Sequence, residues 1–86
     1  MNEPREHRLK RLSMRSMRRG IKEMDIILSR YAEQRLDGFD DAMLDRYDAL
    51  LSENDQDLYQ WVSGQKPAPD VLRDMIADIS QVAFQR

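Results

Sequence analysis

The sequence predicts an all-α fold, a compact five-helix bundle in a single domain. Three observations point there. Apolar residues recur at spacings of three and four along nearly the whole chain, the period of a helix face. No segment alternates apolar and polar residues with the period of two that a half-buried strand requires. The length of 86 residues allows one domain and no more, with no internal repeat and no heptad sustained long enough for a coiled coil.

The first helix is predicted over residues 5–17, with Pro4 near its start. Its apolar stripe is thin, Leu9, Leu12 and Met17 with Met14 off to one side, so it should be the least anchored element, and residues 1–7 are expected to fray. Gly20 breaks the pattern. A second helix follows over 21–35, where Ile21, Met24, Leu28 and Tyr31 share one face and Ile27 widens it. Asp37-Gly38 reads as a stop and a turn. The third helix, 41–53, starts from Asp40 as N-cap and buries Met43, Tyr47, Leu50 and Leu51. Asn54 or Asp55 caps a short fourth helix with Leu58, Trp61 and Val62 inward, and Gly64 ends it. Lys66-Pro67-Ala68-Pro69 forms a stiff connector. Pro69 suits the first turn of a last helix over 70–84, which buries Leu72, Met75, Ile76, Ile79 and Val82 or Ala83. Asp70 complements the dipole at its start.

Composition excludes several functions. Hydrophobic residues are 41% and charged residues 35% of the chain, a modest core under a charged surface. A domain of this size buries only about 60–65% of its unfolded surface, too little for a deep catalytic cavity. The absence of cysteine removes disulfides, thiolate metal sites and a thiol nucleophile. A single histidine, His7, cannot build a multi-histidine metal cluster, and it lies in the N-terminal stretch expected to fray, which argues against a catalytic role. Asp55-Gln56-Asp57 superficially suggests a calcium loop, but the positions that need Gly and Glu hold Gln60 and Lys66. The three glycines lie far apart, so there is no dinucleotide or phosphate loop. No apolar run exceeds three residues, which rules out membrane insertion by a helix. Eight Lys or Arg fall in the first 22 residues with no apolar h-region, so no signal peptide is read and a cytoplasmic location is expected.

Charge is unevenly distributed. Residues 1–36 carry ten basic and five acidic side chains, and residues 37–86 carry four and eleven, balances of +5 and −7. A dipolar surface that orients partners is one reading; a solvated helix face is the other.

One segment stands out, Met17-Arg18-Arg19-Gly20-Ile21-Lys22-Glu23-Met24-Asp25. Structurally, Gly20 is a candidate N-cap and Glu23 the N3 residue that reaches back to it. Functionally, Gly20 leaves the backbone bare for a partner, flanked by a guanidinium fork and an exposed carboxylate.

Arg19-Gly20-Ile21-Lys22-Glu23 resembles the Arg-Gly-x-x-Glu signature of the SdhE family, the succinate dehydrogenase assembly factors. The likeness extends to Arg18 before it and to Met24-Asp25 and Ile26-Ile27-Leu28 after it. Downstream, Leu50-Leu51 and Asn54-Asp55-Gln56-Asp57-Leu58-Tyr59-Gln60-Trp61 resemble the family's Leu-Leu…Asp-x-Asp-Leu-x-x-Trp segment, with Gly64 and Pro67 in the turn that follows. Met17 stands where relatives with a similar first helix often have tryptophan.

The resemblance implies a five-helix protein that is not an enzyme and holds no cofactor of its own. Its partner is the flavoprotein subunit of succinate dehydrogenase, in some bacteria also that of fumarate reductase. That partner binds FAD and receives it covalently. The implied contact residues are Arg18, Arg19, Gly20, Lys22, Glu23 and Asp25. Gly20 permits close backbone contact, Arg19 donates to partner carboxylates or carbonyls, and Glu23 reaches toward the flavin-binding region, with Lys22 and Asp25 on the rim. A monomer is favoured. The competing reading is a small helical module that binds protein or nucleic acid through the basic first helix; the sequence pI of about 5.3 opposes the nucleic-acid form.

Overall fold

The computed structural model describes residues 3–84. Five helices form an all-α globule: α1 Arg5–Arg15, α2 Lys22–Arg35, α3 Asp41–Leu51, α4 Asp55–Val62 and α5 Arg73–Ala83. Short 3-10 turns at Leu36–Gly38 and Asp70–Leu72 end α2 and lead into α5. The central element is α2, packed against α1, α4 and α5.

The predicted stops hold for clear reasons. The Asp40 carboxylate accepts from the Met43 amide at 2.9 Å, and Asn54 rather than Asp55 caps α4, accepting from the Gln56 amide at 2.8 Å. Gly64 ends α4 at a φ of +84°, where Gln65 N–H reaches the Gln60 carbonyl at 2.8 Å and Gly64 N–H the Trp61 carbonyl at 3.2 Å. This paired bonding closes the helix on a left-handed residue that glycine adopts without a Cβ penalty.

Several expectations are corrected. The first helix ends at Arg15, two residues short, so Met17 leaves the apolar stripe and is 43% exposed. In α3 the deeply buried residue is Leu44 rather than Met43, which only packs against the core's edge. The last helix starts at Arg73, because Asp70–Leu72 forms a 3-10 turn after Pro69. At the other end, α1 already begins at Arg5, whose guanidinium donates to the Phe39 carbonyl at 2.7 Å and the Asp37 carbonyl at 3.2 Å. Of the stretch expected to fray, residues 1 and 2 lie outside the described residues.

The core runs through all five helices, with Leu12, Met24, Leu28, Leu44, Leu50, Leu58 and Ile79 fully enclosed. Tyr31, Phe39 and Tyr47 form an aromatic triangle with ring centroids 5.7–6.1 Å apart, tilted or edge-on as ring quadrupoles prefer. Both phenols are satisfied. Tyr31 donates to Asp78 of α5 at 2.8 Å, and Tyr47 shares a hydrogen bond of 2.5 Å with the buried Ser16 hydroxyl. No helix among the described residues is long and apolar enough to cross a membrane.

The charge asymmetry is largely spent inside the molecule. The basic face of α1 lies along the acidic face of α3. Arg8 pairs with Asp45, Arg15 with Asp48, and Arg11 with Asp48 at 3.1 Å and with Glu3 at 3.0 Å. The Arg11 guanidinium beside Asp48 holds that carboxyl below the usual carboxylate range, and Arg11 itself is raised first by Glu3 and then by Asp48. The cluster, for which the sequence left open a partner-orienting surface or a solvated face, is in large part the attachment of the first helix.

Candidate functional site

The singled-out segment spans most of the turn between α1 and α2, residues 16–21, and the first residues of α2. The turn begins at Ser16, whose hydroxyl donates to the Leu12 carbonyl at 2.8 Å and whose amide closes the end of α1. Arg18 then takes a φ of +56°, the left-handed region that residues with a Cβ occupy only at a cost of about 1–3 kcal/mol. Its side chain points into solvent. The chain reverses here and presents the next side chain, Arg19, to the interior.

Arg19 is held on three sides. Its Nε donates to Asp55 Oδ1 at 2.8 Å, Nη1 to the Arg15 carbonyl at 2.9 Å, and Nη2 to the Leu51 carbonyl at 3.0 Å. The two carbonyls lie at the last turns of α1 and α3, where backbone oxygens lack helical partners and favour a cation. The second oxygen of Asp55 accepts the Gly20 amide at 2.7 Å. The side chains of Arg19 and Asp55 are only 11% and 16% exposed. One carboxylate at the start of α4 thus grips two successive residues of a turn 35 positions away.

This geometry reassigns parts of the sequence reading. Gly20 does not cap α2. Ile21 is the N-cap, with extended φ and ψ and no side-chain cap bond. Glu23 falls at the second helical position and makes no hydrogen bond among the described residues, so its local role is to place negative charge near the dipole's positive end. The need for glycine at 20 has an internal cause as well as a surface one. A Cβ there would sit 3.1 Å from Asp55 Oδ2, crowding the oxygen that binds its own amide. Arg19, expected to reach a partner, is committed inward.

What remains at the surface is a compact patch. Arg18, Gly20, Lys22 and Glu23 are exposed, Asp25 is half-buried with Ser29 at 3.4 Å, and Met17 and Ile26 add apolar area at 43% and 53% exposure. Arg15, Met17, Arg18, Arg19, Gly20 and Asp55 line a shallow depression of about 300 Å³ beside it. The patch offers a cation, a carboxylate, bare backbone and thioether within one turn of chain. It suits docking of a protein surface; as a place to enclose a small molecule it is too shallow. Asp55, which local sequence reasoning assigned only to helix capping, is the residue that organises this turn. Its partners lie on another helix junction, and no spacing rule connects them.

Comparison with known proteins places the whole chain in a family. A family model described as the flavinator of succinate dehydrogenase, Sdh5, matches residues 10–83. The protein named mitochondrial succinate dehydrogenase assembly factor 2 of Meyerozyma guilliermondii is 44% identical over 75 residues, covering 84% of this chain and 56% of that one. The protein of the same name in Schizosaccharomyces pombe is 41% identical over 68 residues, covering 79% and 49%. In Drosophila grimshawi the figures are 41% over 70 residues, with 79% and 48% covered. The chain spans about half the length of the curated relatives it matches.

Proposed function

This chain belongs to the Sdh5 family, the flavinators of succinate dehydrogenase, and from that premise we propose that it binds the flavoprotein subunit of succinate dehydrogenase and promotes covalent attachment of FAD to it. Family membership makes it an assembly factor in class. The observation that carries the finer reading is the patch around Gly20, a turn held by Asp55 with bare backbone, one outward guanidinium at Arg18 and a Glu23 carboxylate with no partner among the described residues.

The mechanism follows from what the chain has. Its sequence carries no dinucleotide fingerprint, so the FAD site is assigned to the partner. The docked turn holds the partner's domains in the geometry where the partner's own groups attack the flavin, which lowers the entropy cost of reaching that arrangement. Arg18 and Lys22 meet carboxylates or carbonyls at the rim, and Glu23 faces the flavin-binding region. The encounter is assigned to the cytoplasm, before assembly at the membrane.

The test is covalent flavin fluorescence of the denatured flavoprotein subunit from cells with and without this chain. The proposal expects the signal to vanish without it and to return with the wild type, but not with Gly20→Arg, whose side chain blocks the bare backbone. Equal signal in both strains would overturn it. The same assay on the fumarate reductase flavoprotein decides whether that subunit is a second client.

A further inference from the structure

Resting on that reading, we propose that Asp55 is a positioning residue for client docking. With Arg19 it forms an internal clamp that shapes the turn, and Arg18 is the guanidinium left to face the partner.

The argument is one of inventory. A guanidinium has five N–H donors, and Arg19 directs Nε, Nη1 and Nη2 each to an acceptor of its own chain at 2.8–3.0 Å. Presenting that side chain to a partner would break three bonds and leave Asp55 facing the turn without its counter-charge. An ion pair this enclosed is costly to leave half-made. The neighbouring residue has the opposite arrangement. Arg18 is exposed, makes no hydrogen bond or ion pair among the described residues, and sits at the positive φ that turns Arg19 inward. A backbone conformation unfavourable to an arginine persists only where surrounding contacts fix it. The Asp55 contacts to Arg19 and Gly20, with the Arg15 and Leu51 carbonyls on the same guanidinium, are the bonds placed to do so. Asp55 can take this role without harm to α4, because Asn54 caps that helix.

The clamp also explains the pair Arg19-Gly20 as one unit. A carboxylate that receives both a side-chain N–H and the next backbone N–H fixes the plane of the intervening peptide. It therefore sets the direction in which the Gly20 backbone and the start of α2 face the client. Preorganisation of this kind lowers the ordering cost of binding.

The experiment has two readouts. The first is the Gly20 amide in solution NMR of the free protein, which reports the bond to Asp55 without any client. The second is affinity for the purified flavoprotein subunit. Asp55→Ala and Arg19→Ala are each expected to abolish the protected Gly20 amide signal and to weaken binding about tenfold. The double variant should be no weaker than the worse single, because both remove one device. Asp55→Asn keeps shape but presents an N–H to one of two donors, so it should give the same direction at smaller size, and it serves if the alanine variant unfolds. Arg18→Ala should weaken binding while leaving the Gly20 amide signal in place. Multiplying effects in the Asp55–Arg19 double variant, or wild-type affinity in Asp55→Ala, would overturn the positioning role and leave the proposed function standing. Failure of the wild type to bind the subunit at all would overturn both, with the free-protein amide signal still reporting the clamp.

Discussion

Helices α1 and α5 are the same length, 11 residues each, and are attached by different forces. α5 buries Met75, Ile76, Ile79 and Val82 against the rest of the bundle. α1 fully buries only Leu12, with Leu9 half-buried against the core, and is held besides by Arg5, Arg8, Arg11 and Arg15 reaching carbonyls and carboxylates around α3. Apolar burial is not weakened by ionic screening; an arginine rack is, and it is lost in acid as its carboxylates protonate. The turn proposed to dock hangs from the second kind of attachment, since it follows directly on α1. The helix that leads into the turn is thereby easier to loosen than the core behind it, while the Asp55 contacts hold the turn itself.

The largest effect belongs to the apolar side of the comparison. Ile79 is fully enclosed between α5 and the centre of the bundle. Ile79→Ala should cost about 2–5 kcal/mol, read as a lower midpoint in urea with the slope unchanged. An effect as small as that of a surface substitution would mean that α5 is no better anchored than α1.

A second test uses alkaline pH on the same core. Burial raises the Tyr31 phenol above its ordinary range and pushes that of Tyr47 up to about 12 from 10.0. A folded value above the unfolded one means the folded state keeps its proton longer. The stability these groups contribute is full below pH 10 and is lost as pH rises toward 12. The urea midpoint should fall across that window in the wild type, and fall less in Tyr47→Phe. A flat wild-type profile would refute the enclosure of the two phenols.

On the charged side the effects are smaller and local. Asp48 serves both Arg11 and Arg15, and its folded pKa lies below its ordinary value of 3.8. Its contribution is present above the unfolded value and is lost as pH falls through the folded one. Asp48→Ala should cost about 1 kcal/mol, since part-exposed pairs are screened by solvent. The sharper readout is hydrogen exchange: protection should fall in α1 and not in α5, and 1 M salt on the wild type should shift the two helices in the same unequal way. Uniform loss across both helices would erase the distinction drawn here.

What the sequence made legible follows the same division. Helical period and capping chemistry are local, so Asp40, Asn54, Gly64 and the face of α5 were readable from neighbours three and four residues away. Leu44 was missed because Met43, adjacent to it, fits nearly the same stripe, and only the crossing with neighbouring helices decides between them. The charge asymmetry was visible, but which carboxylate each arginine meets depends on α1 lying along α3, a non-local fact. The site shows this most clearly. Arg19, Gly20 and Glu23, with Arg18 before them, stand out as a motif, whereas the division between outward Arg18 and inward Arg19 is set by Asp55, 35 positions away from Gly20. No periodicity links two ends of a clamp.

The smallest expected effect on stability is at Glu23, and it is the one that separates fold from function. Its carboxylate accepts no capping bond, and its remaining local role is its charge in the first turn of α2. Exposed charge–dipole terms of this kind amount to about 0.3–1 kcal/mol. Glu23→Ala should therefore lower the urea midpoint barely, in contrast to Ile79→Ala, and leave the bundle helical by circular dichroism. If Glu23 faces the client's flavin-binding region, the same variant should still weaken covalent flavin attachment clearly. A variant that unfolds would return Glu23 to the capping role that its place in α2 denies it. One that folds and flavinylates as well as the wild type would remove it from the docking patch and leave Arg18 and Gly20 to carry the contact.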